Sequence, residues 1–159
     1  MYGGMGDHER AMAEAKSALE RFPDHPISLF NLGTSARILG RHDEAIAAHE
    51  RMASRNPRWR HALGITYAAA GRTDDARRIL AEMEASPPNS WNALGLAELH
   101  AALGNDEAAL KWLEYQPRHA WWFGIAGNPL FNGLHDEPRF QALLSVINAR
   151  GATRSQPPS

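Results

Sequence analysis

The chain has 159 residues, of which 43% are hydrophobic, and its 17 basic and 18 acidic residues give a formal net charge of −1. This balanced charge disfavours nucleic-acid binding, and the absence of cysteine excludes disulfides, thiolate nucleophiles and cysteine metal sites. No apolar run is long enough to cross a bilayer and the first residues carry no secretory signal, so we expect a bacterial cytoplasmic protein without a membrane partner.

Glycine recurs along the chain at intervals of 34, 31 and 33 residues, at Gly6, Gly40, Gly71 and Gly104. Alanine follows each of these glycines five positions later. Apolar residues at helical spacing stand on both sides, which predicts two helices joined by a turn at each glycine. The second helix of each pair is expected to end before Pro23, Pro57 or Pro88, because proline disfavours helix at the residue that precedes it.

These repeats predict an all-α fold, an α-solenoid of antiparallel helix hairpins with a C-terminal capping helix. We expect a single domain over residues 1–149, followed by a polar, disordered tail over 150–159. The domain is expected to consist of a partial repeat at 1–25, complete repeats at 26–56, 57–88 and 89–117, and an aromatic linker with the capping helix at 118–149.

The first predicted helix begins in the middle of a repeat, because Tyr2 precedes Gly6 as Tyr67 precedes Gly71. Its apolar face would then lack the helix that normally covers it, leaving four residues uncovered: Ala11, Ala15, Ala18 and Leu19. An uncovered apolar face favours association. We therefore expect either a homodimer formed through residues 2–22 or an upstream segment that covers them.

The hairpin at 26–56 has two features that set its packing. Gly33 and Ala45 are small residues expected to face each other and to let the two helices approach closely. His49 stands where the neighbouring repeats have Leu80 and Leu113. We expect this histidine to be partly buried and hydrogen-bonded between helices, with ligand binding or proton transfer as the alternative.

The C-terminal part of the chain is rich in aromatic and apolar residues. Three large aromatic residues follow Pro117, at Trp121, Trp122 and Phe123, and are expected to cover the last apolar face of the array. The final helix has apolar residues at helical spacing, which predicts that it packs on the array as a cap: Phe140, Leu143, Leu144 and Ile147.

Several of these positions resemble the tetratricopeptide repeat family. The family pattern has Leu-Gly and Tyr in the first helix, Gly at the turn, Ala in the second helix and Pro at the exit. One repeat matches this pattern at Leu63, Gly64, Tyr67, Gly71, Ala76 and Pro88, and another at Leu32, Gly33, Gly40, Ala45 and Pro57. The segment from Leu113 to Leu144 is similar to the closing part of such arrays in bacterial signalling proteins. The resemblance implies an interaction or sensor module.

The inner surface of such an array comes from the first helix of each hairpin. We expect this surface to bind a peptide or helix of a protein partner, without a cofactor, through eight residues: Phe30, Asn31, Thr34, Arg37, Arg58, His61, Trp91 and Glu98. Relatives that clamp the terminal carboxylate of a peptide use five converging Lys, Asn and Arg side chains. Asn31 and Arg58 match two of those positions, but Ala62 occupies one that is basic in such relatives.

An enzymatic alternative depends on histidines brought together by folding. The sequence has no Gly-x-Ser-x-Gly elbow, no phosphate-binding glycine loop and no His-Glu-x-x-His pair. The alternative is a small hydrolase of the ester or lactone type that holds a divalent metal ion with His49, His61, His100 and Glu98 and uses metal-bound water.

Overall fold

The computed structural model describes residues 4–115 and 125–154, apart from the side chains of residues 90, 91 and 150–154. Within these ranges all regular elements are helical, which confirms the predicted all-α fold. None of the helices in this part of the chain combines the length and apolar character that a bilayer span requires. The α-helices are α1 (Met5–Arg21), α2 (Pro26–Ile38), α3 (His42–Arg55), α4 (Arg60–Ala69), α5 (Thr73–Glu84), α6 (Ser90–Ala102), α7 (Asp106–Tyr115) and α8 (Pro138–Arg154), with 3-10 segments at Pro57–Trp59 and Pro129–Leu134.

Internal contacts divide the chain into two compact units, Met1–Ser86 and Pro87–Ser159. In the first unit α2 pairs with α3 and α4 pairs with α5, while α1 packs on α2, and α4 contacts both α2 and α3. In the second unit α6 pairs with α7, the segment Pro129–Leu134 contacts α6, and α8 contacts α7. The single domain expected over 1–149 stays a prediction.

A glycine in the left-handed backbone region ends the first helix of each complete pair, with φ of 73° at Gly40, 78° at Gly71 and 77° at Gly104. The Gly71 N–H donates to the Ala68 carbonyl at 3.1 Å, and the Arg72 N–H donates to the Tyr67 carbonyl at 2.8 Å. The same two bonds recur at the other two turns. They satisfy the last carbonyls of the helix while the chain reverses, and only glycine adopts this conformation without a Cβ penalty.

Gly6 does not form a turn of this kind, so its interpretation as a fourth turn glycine is wrong. It lies inside α1, which begins at Met5, and it has no positive φ. Gly6 stands in the first turn of α1, just after the N-cap residue Gly4, where a glycine costs at most about 1 kcal/mol relative to alanine.

The prediction that the apolar face of the first helix is uncovered is also wrong, because two of its four residues, Ala15 and Leu19, are packed. Ala15 is buried, and Leu19 packs against two apolar clusters that include residues of α2. Ala11 and Ala18 are half-buried. Self-association through residues 2–22 stays a prediction, but without the apolar face that motivated it.

The capping helix is confirmed, because α8 completes the apolar core of the second unit. Its Phe140, Leu143 and Ile147 are buried together with Phe131 and Leu134 of the preceding segment. Leu144, the fourth apolar residue of the predicted stripe, is partly buried against the same core.

Arg139 joins the start of α8 to α7 by charge-assisted hydrogen bonds. Its Nε and Nη2 donate to the two carboxylate oxygens of Glu114 at 2.8 and 2.6 Å, and its Nη1 donates to Glu107 at 2.9 Å. This paired geometry orients α8 on the helix pair. The helix continues to Arg154, so the disorder expected over 150–159 does not begin at residue 150. The aromatic residues predicted as a linker at 121–123 lie outside the described residues.

We expect Gly71→Ala to lower the free energy of unfolding by about 1 kcal/mol, because alanine must adopt the left-handed region. A Cβ at this position has no neighbour within 4 Å, so the cost comes from the backbone conformation alone. Urea denaturation measures the change.

Gly6→Ala is the matched control. A Cβ there also has no neighbour within 4 Å, and the backbone is helical. We therefore expect no loss of stability, and a gain of up to about 0.5 kcal/mol. Equal effects of the two substitutions would contradict the assignment of Gly71 as an obligatory turn glycine.

Candidate functional site

Helices α2 and α4 are the first helices of the two hairpins in the first unit. They contact one another and carry most of the predicted binding residues. On α2 one side is buried, whereas Ile27, Asn31, Thr34 and Ile38 follow one another at helical spacing and are exposed or half-buried. Ile27 keeps 59% of its surface exposed. We define the first-helix face as Ile27, Phe30, Asn31, Thr34, Arg37, Arg58, Trp59 and His61.

Four rings follow one another from α3 across the first-helix face. The ring centroids of His49 and Phe30 are 6.0 Å apart, those of Phe30 and Trp59 are 5.2 Å apart, and those of Trp59 and His61 are 6.2 Å apart. The Trp59 and His61 rings are stacked. Phe30, Trp59 and His61 are each half-buried, so the run combines a packed side with a surface that an apolar group of a ligand can cover.

His49 lies beneath this run and links three helices. Only 1% of its surface is exposed. Its Nδ1 is 2.7 Å from the Thr66 hydroxyl of α4, and its Nε2 is 3.3 Å from the Phe30 carbonyl of α2. The Thr66 hydroxyl has one proton and two acceptors within reach, Nδ1 of His49 and the Ala62 carbonyl at 2.9 Å. A neutral His49 imidazole that carries its proton on Nε2 donates a hydrogen bond to the Phe30 carbonyl and accepts one at Nδ1 from the Thr66 hydroxyl.

Gly33 provides the space for the His49 ring. A Cβ at Gly33 would overlap the imidazole atoms Cδ2 and Nε2. The prediction that a small residue at Gly33 permits close packing therefore holds, but the group it accommodates is His49 of α3 rather than Ala45. The prediction that His49 is hydrogen-bonded between helices is confirmed, and the side chain is fully rather than partly buried.

Burial lowers the pKa of two histidines of this region, His49 and His61, so both imidazoles are uncharged at neutral pH. Desolvation lowers the pKa of His49 to about 4, and the nearby charge of Arg37 lowers it further, whereas hydrogen bonds to the carbonyls of Phe30 and Ala62 oppose the shift. Burial is also the main cause that lowers the pKa of His61. The formal charge of the first-helix face at neutral pH therefore comes from its arginines.

The structure places the predicted binding residues in two groups. Six of them belong to the first unit: Phe30, Asn31, Thr34, Arg37, Arg58 and His61. Trp91 and Glu98 belong to α6 of the second unit, where the Trp91 side chain lies outside the described residues. Glu98 accepts a hydrogen bond from the Asn128 side chain at 2.9 Å, within its own unit.

The alternative metal site has no support in the described residues. No group of three His, Asp or Glu side chains in that part of the chain comes together in a geometry that could hold a metal ion. His49 has both ring nitrogens within hydrogen-bonding distance of Thr66 and Phe30. His100 and Glu98 belong to the second unit, and His49 and His61 belong to the first.

Three residues that shape this site were not selected from the sequence as binding residues. Thr66 holds His49, Gly33 accommodates it, and Trp59 contacts Phe30. Trp59 had a signal, because it lies in a cluster with Arg58 and His61, and Gly33 was predicted to pack closely, although against Ala45 rather than His49. The partnership of Thr66 with His49 had no local signal, because the two residues are joined only by folding.

Comparison with protein families agrees with the repeated helix pairs. Two family models, both described as tetratricopeptide repeat, match the chain: one over residues 2–60 and the other over residues 36–86 and 67–120. No curated protein and no solved structure gives a match.

We expect Gly33→Ala to destabilise the protein by roughly 2 kcal/mol, because the new methyl group overlaps the buried His49 ring. The penalty should largely disappear in a His49→Ala background, where that ring is absent. A double-mutant cycle from urea denaturation measures this coupling. The same penalty in both backgrounds would contradict the packing of His49 against Gly33.

We expect the stability of the protein to rise with pH between about 4 and 6.5, since His49 has a pKa of about 4 when folded and an unperturbed value of 6.5. The unfolded chain binds more protons than the folded protein in this window. The contribution of His49 to the free energy of unfolding is therefore complete above pH 6.5 and is lost as the pH falls to 4; the full loss is roughly 3 kcal/mol.

Urea denaturation across this pH range, compared between the natural chain and His49→Gln, isolates the histidine. The variant should show a shallower pH dependence. His25→Asn is the control, because His25 is exposed and accepts from the Ser28 N–H at the start of α2, a role that asparagine also fills. An unchanged slope in His49→Gln would exclude His49 as the titrating group.

Proposed function

Because this chain belongs to the tetratricopeptide repeat family, we propose that it is a protein interaction module whose first-helix face binds a peptide or helical segment of a partner protein. The proposal includes a location in the bacterial cytoplasm and no cofactor. Helical repeat arrays commonly present such elongated surfaces to other proteins.

The observation that carries the proposal is the mixed chemistry of the first-helix face. Ile27 and the half-buried Phe30 and Trp59 rings offer apolar surface, while Asn31 and Thr34 lie on the same stripe of α2 with groups that can pair with a peptide backbone. An extended or helical segment needs both, because its side chains require apolar contacts and its polar groups require hydrogen-bonding partners.

The buried network beneath this face supports binding by keeping it rigid. His49 is hydrogen-bonded to Thr66 of α4 and to the Phe30 backbone of α2, so the two helices that form the face are joined through a third. A preorganised surface loses less conformational entropy when it binds. That Trp91 and Glu98, which belong to the second unit, also bind a partner stays a prediction from the sequence.

We expect the chain to select peptides from a displayed random library, and a selected peptide to shift the backbone amide NMR signals of α2 and α4 more than those of α3 and α5. Asn31→Ala combined with Arg58→Ala should weaken binding by about tenfold, since both residues are exposed and polar.

The matched control is Arg55→Ala combined with Arg77→Ala, which changes exposed residues on the second helices α3 and α5. Its affinity should equal that of the natural chain. Failure to select any peptide, or signal shifts confined to α3 and α5, would contradict a binding surface on the first helices.

A further inference from the structure

One side of α2 carries four residues that follow one another at helical spacing and reach the surface. We define the α2 stripe as these four residues: Ile27, Asn31, Thr34 and Ile38. Ile27 and Ile38 keep 59% and 43% of their surfaces exposed, and they are two of the six large hydrophobic residues exposed in the described part of the chain. Single exposed apolar residues are common on proteins, but two that end one stripe form a contact surface with a defined pattern.

The α2 stripe reads the same from either end. An isoleucine stands at each end, and a short polar residue stands four positions inside each isoleucine. When a second copy of α2 is placed against it in the opposite direction, Ile27 meets Ile38 and Asn31 meets Thr34, and each contact occurs twice by symmetry. A symmetric dimer requires a surface that is complementary to itself, whereas a segment of an unrelated protein does not.

The polar centre of the α2 stripe suits this arrangement. An asparagine amide and a threonine hydroxyl each donate and accept hydrogen bonds, so Asn31 of one copy can pair with Thr34 of the other in either direction. Both side chains are short, which lets two helices approach closely enough for the isoleucines at the ends to touch.

Charge favours the antiparallel arrangement of two α2 helices over a parallel one. Arg37 is the only charged residue of α2. In a parallel pair the two copies of Arg37 would stand side by side and repel each other. In the antiparallel pair they lie about nine residues apart along the axis, or roughly 14 Å, which exceeds the screening length of roughly 8 Å at physiological salt. The helix dipoles also oppose each other favourably in this orientation.

We propose that the α2 stripe is the interface of a homodimer, in which the α2 helices of two copies pack antiparallel, with Ile27 of each copy against Ile38 of the other. This inference goes beyond the proposed function. The α2 stripe shares Ile27, Asn31 and Thr34 with the first-helix face, so a second copy and a partner segment compete for the same surface. Self-association then regulates binding, because it covers the exposed isoleucines until a partner displaces the second copy.

Sedimentation equilibrium of the full chain tests this interface with two single substitutions, Ile27→Glu and Ile38→Lys. The α2 stripe is shorter than a standard interface, so we expect the natural chain to form a reversible dimer with a dissociation constant on the order of 100 µM. Each substitution should weaken the homodimer by about tenfold or more, because it sets a charge against an isoleucine.

Both substitutions are compatible with the fold. The two positions are exposed, Ile27 in the first turn of α2 and Ile38 at its end. A glutamate near the start of a helix and a lysine near its end both interact favourably with the helix dipole. Circular dichroism checks that each variant is folded.

An equal mixture of the two variants distinguishes the antiparallel interface from any other. In the antiparallel heterodimer the new carboxylate at position 27 faces the new ammonium at position 38, and the natural isoleucines at the opposite end still meet. We therefore expect the mixture to associate about tenfold more tightly than either variant alone, and salt to weaken the mixture more than the natural chain. A parallel pair restores neither contact, so an absence of recovery in the mixture would overturn the antiparallel register.

The matched control is Val146→Glu on α8, where 44% of the valine surface is exposed, and it should leave the dimer unchanged. A natural chain that stays monomeric at about 1 mM, tenfold above the expected constant, would overturn the proposal. A dimer that persists in Ile27→Glu but is lost in Ala13→Glu on α1 would also overturn it, and would assign association to residues 2–22. None of these measurements uses a peptide, so failure of the dimer and failure of the proposed function are observed separately.

Discussion

The structure depends on a backbone constraint that recurs at three positions. Gly40, Gly71 and Gly104 each adopt a positive φ at the end of a helix, where a residue with a side chain would be strained. The chain therefore reverses at fixed points and forms helix pairs rather than longer helices. In the first unit this reversal brings α2 and α4 into contact, so residues distant in sequence become neighbours on one surface.

A second constraint lies beneath that surface, where one hairpin departs from its neighbours. Leucine occupies the positions equivalent to His49 in the other two hairpins, at Leu80 and Leu113. The imidazole instead forms directional contacts to Thr66 and to the Phe30 backbone, and Gly33 leaves the space it needs. Hydrogen bonds specify relative helix position more narrowly than apolar contact does, because a buried polar group left unpaired is costly. The helices that carry Phe30 and Thr66 are thus joined by a polar network beneath the rings.

The division of charge gives this same surface its chemical character. The second helices contain both acids and bases and neutralise much of their charge within the protein, whereas α2 and the segment that leads into α4 contribute only arginines. Burial keeps His49 uncharged at neutral pH, and it also lowers the pKa of His61, so neither imidazole adds to that charge.

The sequence by itself determined the helix pairs, three of the four predicted turn glycines and the capping role of α8, because these follow from local periodicity and from the φ that only glycine adopts easily. The first-helix face was predictable in part, since Phe30, Asn31 and Arg58 follow from the repeat register. Only the tertiary structure decided that Leu19 is covered and that Gly33 makes room for His49. Those outcomes depend on which side chains meet across helices, and local sequence patterns do not encode such distances.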